Sequence, residues 1–114
     1  MKISTKCYIG LNDQITNTQL VTTGAACDII INQLFAAGFQ YATITESIGA
    51  YKYAGGVNAG KVCREKGLCV EIIESTYQTL KHRHARRQFV QAIKTALNQE
   101  SIGIRCVPCL FRTR

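Results

Sequence analysis

The densest chemistry lies between positions 81 and 87. There Lys81-His82-Arg83-His84-Ala85-Arg86-Arg87 packs four Lys/Arg and two histidines into seven positions. Apolar residues at helical spacing place this run at the start of a helix over roughly 82–98. A helix N-terminus already carries about half a positive charge and several unpaired N–H groups, so cations there are unfavourable. A bound anion would relieve the conflict, as phosphate does at many helix starts. A solvated basic face, or pairing with Glu71, Glu74 or a neighbouring chain, would also accommodate the run. The two histidines stand at i and i+2, so they point to different helix faces and make a poor metal site. Phe111-Arg112-Thr113-Arg114 is a second anion candidate. Its arginines could fork a pyrophosphate and its ring could stack on a base, unless the segment is a frayed terminus.

Other constellations promise less. Cys106-Val107-Pro108-Cys109 is a lone CxxC with no following helix to lower a thiol pKa. The other zinc ligands on offer, Cys63 and Cys69, are six apart, which is not a usual ligand spacing. The six cysteines are expected as reduced thiols, several of them at apolar strand positions. Glu71 and Glu74 differ by three positions on a strand, so they point to opposite faces and cannot share acid/base work. No Ser-His-Asp set and no phosphate-binding glycine loop is present, and the glycines of 54–60 read as a hairpin turn. A protein that binds without catalysing is expected, with no cofactor and no metal.

The bulk composition narrows the partner. Residues 1–60 hold three Lys/Arg and three Asp/Glu, whereas residues 61–114 hold eleven and four, so the second half carries the whole net charge of +7. Such a local excess suits an anionic partner such as a nucleotide, nucleic acid or phosphate. The apolar content is that of a globular chain, and 114 residues suffice for one core, so residues 1–114 are expected to form one nucleotide-binding domain. No apolar run reaches the roughly 20 residues of a membrane span, and no signal-peptide block follows Met1-Lys2-Ile3-Ser4. No membrane contact is expected, and a cytosolic location is.

The elements that must position these residues follow from periodicity. Residues 2–11 alternate, with Ile3, Cys7, Ile9 and Leu11 on one face. Thr22 or Thr23 can cap a helix carrying Ala26, Ile29, Ile30, Leu34 and Ala37, and Gly38 can stop it. Strands are expected over 40–53 and 61–74 around the turn, and over 102–111, where Pro108 marks an edge. The fold class is therefore α+β, in the order β-α-β-β-α-β, as an antiparallel sheet with two helices packed on one face. The other face would display Tyr, Thr, Cys and Ile side chains, and a second copy of the chain would most simply cover it.

Cys7-Tyr8-Ile9-Gly10-Leu11-Asn12 is similar to the first-strand motif of RNA-recognition motif domains. Those domains stack bases on aromatics of the third strand, where this chain has Gly67-Leu68-Cys69-Val70-Glu71-Ile72 and no ring. Stacking contributes about 1–3 kcal/mol per base, so that binding mode is disfavoured.

A closer likeness runs over most of the chain. KISTKCYIGLND, TITESIGAYKY, LCVEIIE and KTALNQESIGI resemble segments of the Thoeris anti-defence sponges, small phage proteins. The resemblance implies sequestration, without cleavage, of glycocyclic ADP-ribose, the cyclic ADP-ribose isomer made by a TIR-domain enzyme. It further implies a homo-oligomer built from dimers, up to a hexamer, with cyclic di- or trinucleotides as further ligands at a separate site. Residue by residue, it makes Phe89 the candidate base platform, with Phe111 in reserve and core packing as the competing role of Phe89. Asn98 would meet the adenine edge or cap the helix. Arg105, Arg112 and Arg114 would take the pyrophosphate, Arg64 would serve a second nucleotide site, and Arg86 joins them from the basic run. The run itself departs from the family's more acidic helix start. The alternative expectation is a basic nucleic-acid-binding or protein-directed anti-defence inhibitor of the anti-CRISPR kind.

Overall fold

The computed structural model describes residues 1–52, 54–57 and 59–110. The four strands are β1 (Lys2–Gly10), β2 (Thr43–Lys52), β3 (Val62–Ser75) and β4 (Gly103–Cys109). They form one antiparallel sheet in the order β2-β3-β1-β4. The helices are α1 (Thr23–Ala36), α2 (Thr76–Lys81) and α3 (Arg83–Ala96). This is the expected β-α-β-β-α-β arrangement with one added short helix. Pro108 lies on edge strand β4, as its missing N–H requires.

One side of each central strand feeds the core. Cys7, Ile9 and Leu11 from the first strand segment meet Leu68, Val70 and Ile72 of β3, and against them pack Ala26, Ile30 and Leu34 of α1 and Phe89, Val90 and Ile93 of α3. Thr22 caps α1 by accepting the Ala25 N–H at 3.1 Å, and Gly38 ends the turn that follows with φ +96°. Such a cap contributes about 1 kcal/mol.

The second helical region begins earlier than its apolar stripe suggests. Ser75 and Gln78 form a reciprocal capping box that starts α2 at Thr76. His82 then donates its backbone N–H to Gln78 O and accepts that of Arg86, so it joins α2 to α3. α3 itself starts at Arg83, with His82 as its N-cap and no side-chain cap, so the basic run opens this helix as expected, with Lys81 ending α2.

β1 pairs with β3 only as far as Gly10↔Gly67, whereas β2 pairs with β3 on to Lys52↔Val62. Beyond Ser47 and Gly67 the sheet is thus a two-stranded ribbon. It carries exposed Ile48, Tyr51 and Val62 and lengthens the molecule to 49 × 26 × 26 Å. No helix among the described residues is long and apolar enough to cross a membrane.

Candidate functional site

Where the ribbon leaves the sheet, the open face forms a cleft of about 800 Å³. Its floor is built by register. Gly10 of β1 stands opposite Gly67 of β3, Gly67 opposite Ser47 of β2, and Gly49 of β2 opposite Glu65. A Cβ on Gly10 would lie 2.6 Å from the carboxyl carbon and both carboxyl oxygens of Glu65. A Cβ on Gly67 would lie 2.8 Å from Ile9 O and 2.9 Å from Ser47 Oγ. Only glycine fits at either position with these neighbours in place. The Glu65 carboxylate also accepts the Asn12 N–H at 2.8 Å, so it is held over the floor.

One wall is the 12–19 loop. Asp13 Oδ1 accepts the N–H groups of Ile15 and Thr16 at 2.9 and 3.0 Å, which shapes the turn. Asn98, in the left-handed region at φ +48°, donates to Asp13 Oδ2 at 2.7 Å and accepts from Gln14 Nε2 at 2.8 Å. Gln99, nearly buried, donates to Asn12 O. The loop is thereby fastened to the end of α3. Tyr51 donates to Asn17 Oδ1 at 2.9 Å and ties the ribbon to the same loop. The Asn98 amide, ahead of the backbone N–H groups of Thr16 and Ile15, lowers the Asp13 pKa below its ordinary value.

The charges in the cleft are mostly negative. Glu65, Asp13 and Glu100 line it against a single cation, Lys66. Tyr8 and Tyr51 contribute rings, and Asn12, Gln14, Asn17, Ser47, Gln99 and Ser101 contribute hydrogen-bonding groups. Such a lining suits a polar ligand that carries positive charge.

The residues expected from sequence lie elsewhere. Phe89 is 1 % exposed in the core, so its ring offers no platform to a ligand, and core packing is its role. Arg86 turns inward, with Nη1 3.9 Å from Glu74 Oε1 and without a hydrogen-bond partner. Glu74, nearly buried, is also bonded by His82 Nδ1, whose ring meets Phe39 edge-on at 5.5 Å. His82 is thus an internal anchor of the α2–α3 junction and does not join the basic surface. Arg64 and Arg105 are exposed on β3 and β4 and do not line the cleft. Asn98 touches the cleft's loop through Asp13 without lining the cavity itself. Phe111, Arg112 and Arg114 lie outside the described residues.

Glu71 and Glu74 do face opposite sides, since Glu71 accepts from Ser4 Oγ at 2.6 Å on the open face and Glu74 meets His82 on the helix side. Cys106 contacts Thr5 Oγ1 on the helix side, and Cys109 is three positions on, so the CxxC thiols point to opposite faces. Among the described residues no group of three or more His, Cys, Asp or Glu could hold a metal ion.

Sequence reading missed Glu65, Asp13, Tyr8 and Tyr51. Gly10 and Glu65 are 55 positions apart. Only the β1–β3 register brings the acid over the glycine, and no local motif announces it.

No family model matches the sequence, and no curated protein matches it. Among solved structures, the fold is similar to that of a phage SAM lyase in complex with S-methyl-5′-thioadenosine. The TM-score is 0.67 at 17 % identity, over 93 % of this chain and 80 % of that one. A phage SAM lyase in its apo state gives 0.62 at 17 %, over 92 % and 78 %. The de novo designed protein Foldit4 gives 0.52 at 11 %, over 96 % and 100 %. These likenesses establish a shared fold. They also correct the expectation of a protein that binds without catalysing, because the fold this chain shares with the phage structures is one that carries an enzyme.

Proposed function

We propose that this chain is a phage anti-defence protein that takes an adenosine-bearing sulfonium, of the S-adenosylmethionine type, into the acid-lined cleft and cleaves it as a lyase. The observation that carries this reading is the charge of the cleft, with Glu65 held over Gly10 and joined by Asp13 and Glu100. The fold shared with a phage SAM lyase supports it. A sulfonium is a cation, and carboxylates in a partly enclosed cleft attract it. The tyrosine rings suit a purine face, and the amides and serines suit the base edge and ribose hydroxyls.

The chemistry asks little of the protein. Breaking the bond between sulfur and the amino-acid chain leaves the electron pair on sulfur, which becomes a neutral thioether. The departing carbon fragment balances this either by closing on its own carboxylate, which releases no proton, or by giving up a proton to solvent and forming an alkene. Neither course needs the paired acid and base that the sequence lacks. The chain's task is then to bind, orient and exclude water, which positioning alone can turn into a large rate gain.

A cyclic ADP-ribose signal, the ligand of the sponges that the sequence resembles, shares the adenosine half. Its pyrophosphate would face three carboxylates and one lysine, so the cleft favours the sulfonium. The test is incubation of the protein with S-adenosylmethionine or with glycocyclic ADP-ribose, followed by mass spectrometry. The expected result is methylthioadenosine from the first and no change in the second, with Glu65→Gln slowing the conversion. Intact S-adenosylmethionine together with tight uptake of glycocyclic ADP-ribose would overturn the proposal.

A further inference from the structure

The net charge of +7 is not spent at the cleft, which is acid-lined. Residues 76–98 hold five Lys/Arg and no Asp or Glu. The only ion pairs in this segment among the described residues are those of Glu74 with His82 and Arg86. Glu74 therefore draws one arginine and one histidine of the run inward. Lys81, Arg83, His84 and Arg87 are left exposed, with Lys94 half-buried along the same helix.

Their spacing is ordered. At about 100° per residue, Arg83, Arg87 and Lys94 fall within about 40° of one another around α3, and the stripe runs about 16 Å along its axis. Gln88, Gln91 and Thr95 extend the exposed surface with neutral hydrogen-bonding groups, and no carboxylate interrupts it. The helices cover the sheet face opposite the cleft, so the two charge patterns lie on opposite sides of the sheet.

We infer that the outer face of α2–α3 is a docking surface for the phosphate backbone of duplex DNA, independent of the ligand cleft. Charge complementarity identifies the partner, since about 16 Å of duplex presents about ten phosphates over its two strands. Rigidity selects the duplex over a single strand. A straight stripe on a fixed helix can follow a stiff double helix, whereas single strands are held chiefly by stacking on aromatic rings. The stripe of Arg83, Arg87 and Lys94 carries no aromatic ring, since exposed His84 stands about 100° round the helix from Arg83 and exposed Tyr77 belongs to α2. Without an array of base-reading side chains, the contact is independent of sequence.

The experiment is fluorescence anisotropy of a labelled mixed-sequence duplex titrated with the protein at several salt concentrations. Three phosphate contacts predict a log–log salt slope of about −3, or a loss of roughly forty-fold in affinity between about 50 and 200 mM salt. Arg83→Glu/Arg87→Glu, both at exposed positions, should abolish binding or flatten the slope to about −1 while circular dichroism stays unchanged. Lys6→Glu, on the sheet, should leave binding as it is. Four results would overturn the inference: no binding at low salt, indifference to the double charge reversal, loss of binding in Lys6→Glu, or tighter binding of the single strand.

Discussion

The carboxyl group of Glu65 occupies the space into which a side chain on Gly10 would grow, 2.6 Å from where its Cβ would begin. A single methyl group on Gly10 therefore tests the site without touching the core. The atoms it meets are the far end of a flexible side chain, so Glu65 can swing away and the fold should survive Gly10→Ala with its melting temperature almost unchanged. The Asn12 N–H would lose its acceptor and the cleft its fixed anion. Calorimetry should show binding of S-adenosylmethionine weakened by about tenfold or more, equivalent to about 1.4 kcal/mol. Glu65→Gln should weaken the sulfonium ligand in the same way and spare the uncharged methylthioadenosine. Equal losses for both ligands would mean that Glu65 contributes shape and not charge.

Asn98 and Asp13 tie the cleft's loop to the end of α3, and their hydrogen bond is the largest cause of the lowered Asp13 pKa. Asn98→Gly keeps the left-handed backbone at φ +48° and removes only the side chain. The Asp13 carboxyl, followed by NMR through an acid titration, should then titrate closer to its ordinary 3.8. The sign follows from linkage. A carboxyl with a depressed folded pKa favours the fold above its unfolded pKa, and that contribution fades as pH falls through the folded value. The variant should therefore lose less stability than the parent between neutral and acid pH. Ligand affinity should fall with the loosened loop, and an unchanged Asp13 titration would show that Asn98 does not set it.

How far the sequence carries can be read from particular residues. Strand alternation gave Cys7 and Ile9, helical spacing gave Ile30 and Ile93, and Thr22 announced the α1 cap, because these signals are local and the core repays them. α2 was hidden because Thr76–Lys81 buries no residue and so shows no apolar stripe, although Ser75 and Gln78 carried the capping-box pair. Phe89 belonged to an apolar stripe, and the stripe told the truth about it. The cleft was not legible at all. Its acid, its glycines and its tyrosines come from three strands and a loop, and only their register assembles them.

Burial pushes the Cys7 thiol up from 9.0 to about 11, with Cys106 and Cys69 adding to the effect and the nearby Arg86 opposing it. The folded state keeps this thiol protonated where the unfolded chain ionises it. Its contribution is fully present below about pH 9 and is lost as pH rises through about 11, and it amounts to about 3 kcal/mol. Urea unfolding of the parent and of Cys7→Ala at a series of pH values isolates it, since the two proteins differ only at this thiol. The parent should lose more stability than the variant across that window. Parallel curves would place the thiol in contact with water. The same burial predicts that Cys7 reacts with a thiol reagent only at the rate of global unfolding, well after exposed Cys106.

The β2–β3 ribbon raises the question of what supports it. An isolated two-stranded hairpin is marginal in water, and this one leaves Ile48 76 % and Val62 64 % exposed. Burying an isoleucine or valine side chain contributes about 1.5–3 kcal/mol, so two copies meeting through their ribbons would gain from each. Ile48 and Tyr51 also line the cleft, so a partner seated there would lie beside the ligand site. We therefore expect a homo-oligomer. Sedimentation should give a mass of at least twice 12.6 kDa, and Ile48→Asp should return it to that of the single chain with helix and strand content intact. A parent that sediments as one chain at all concentrations would remove the expectation, and the ribbon's stability would then have to come from its ties to the 12–19 loop through Tyr51 and Asn17.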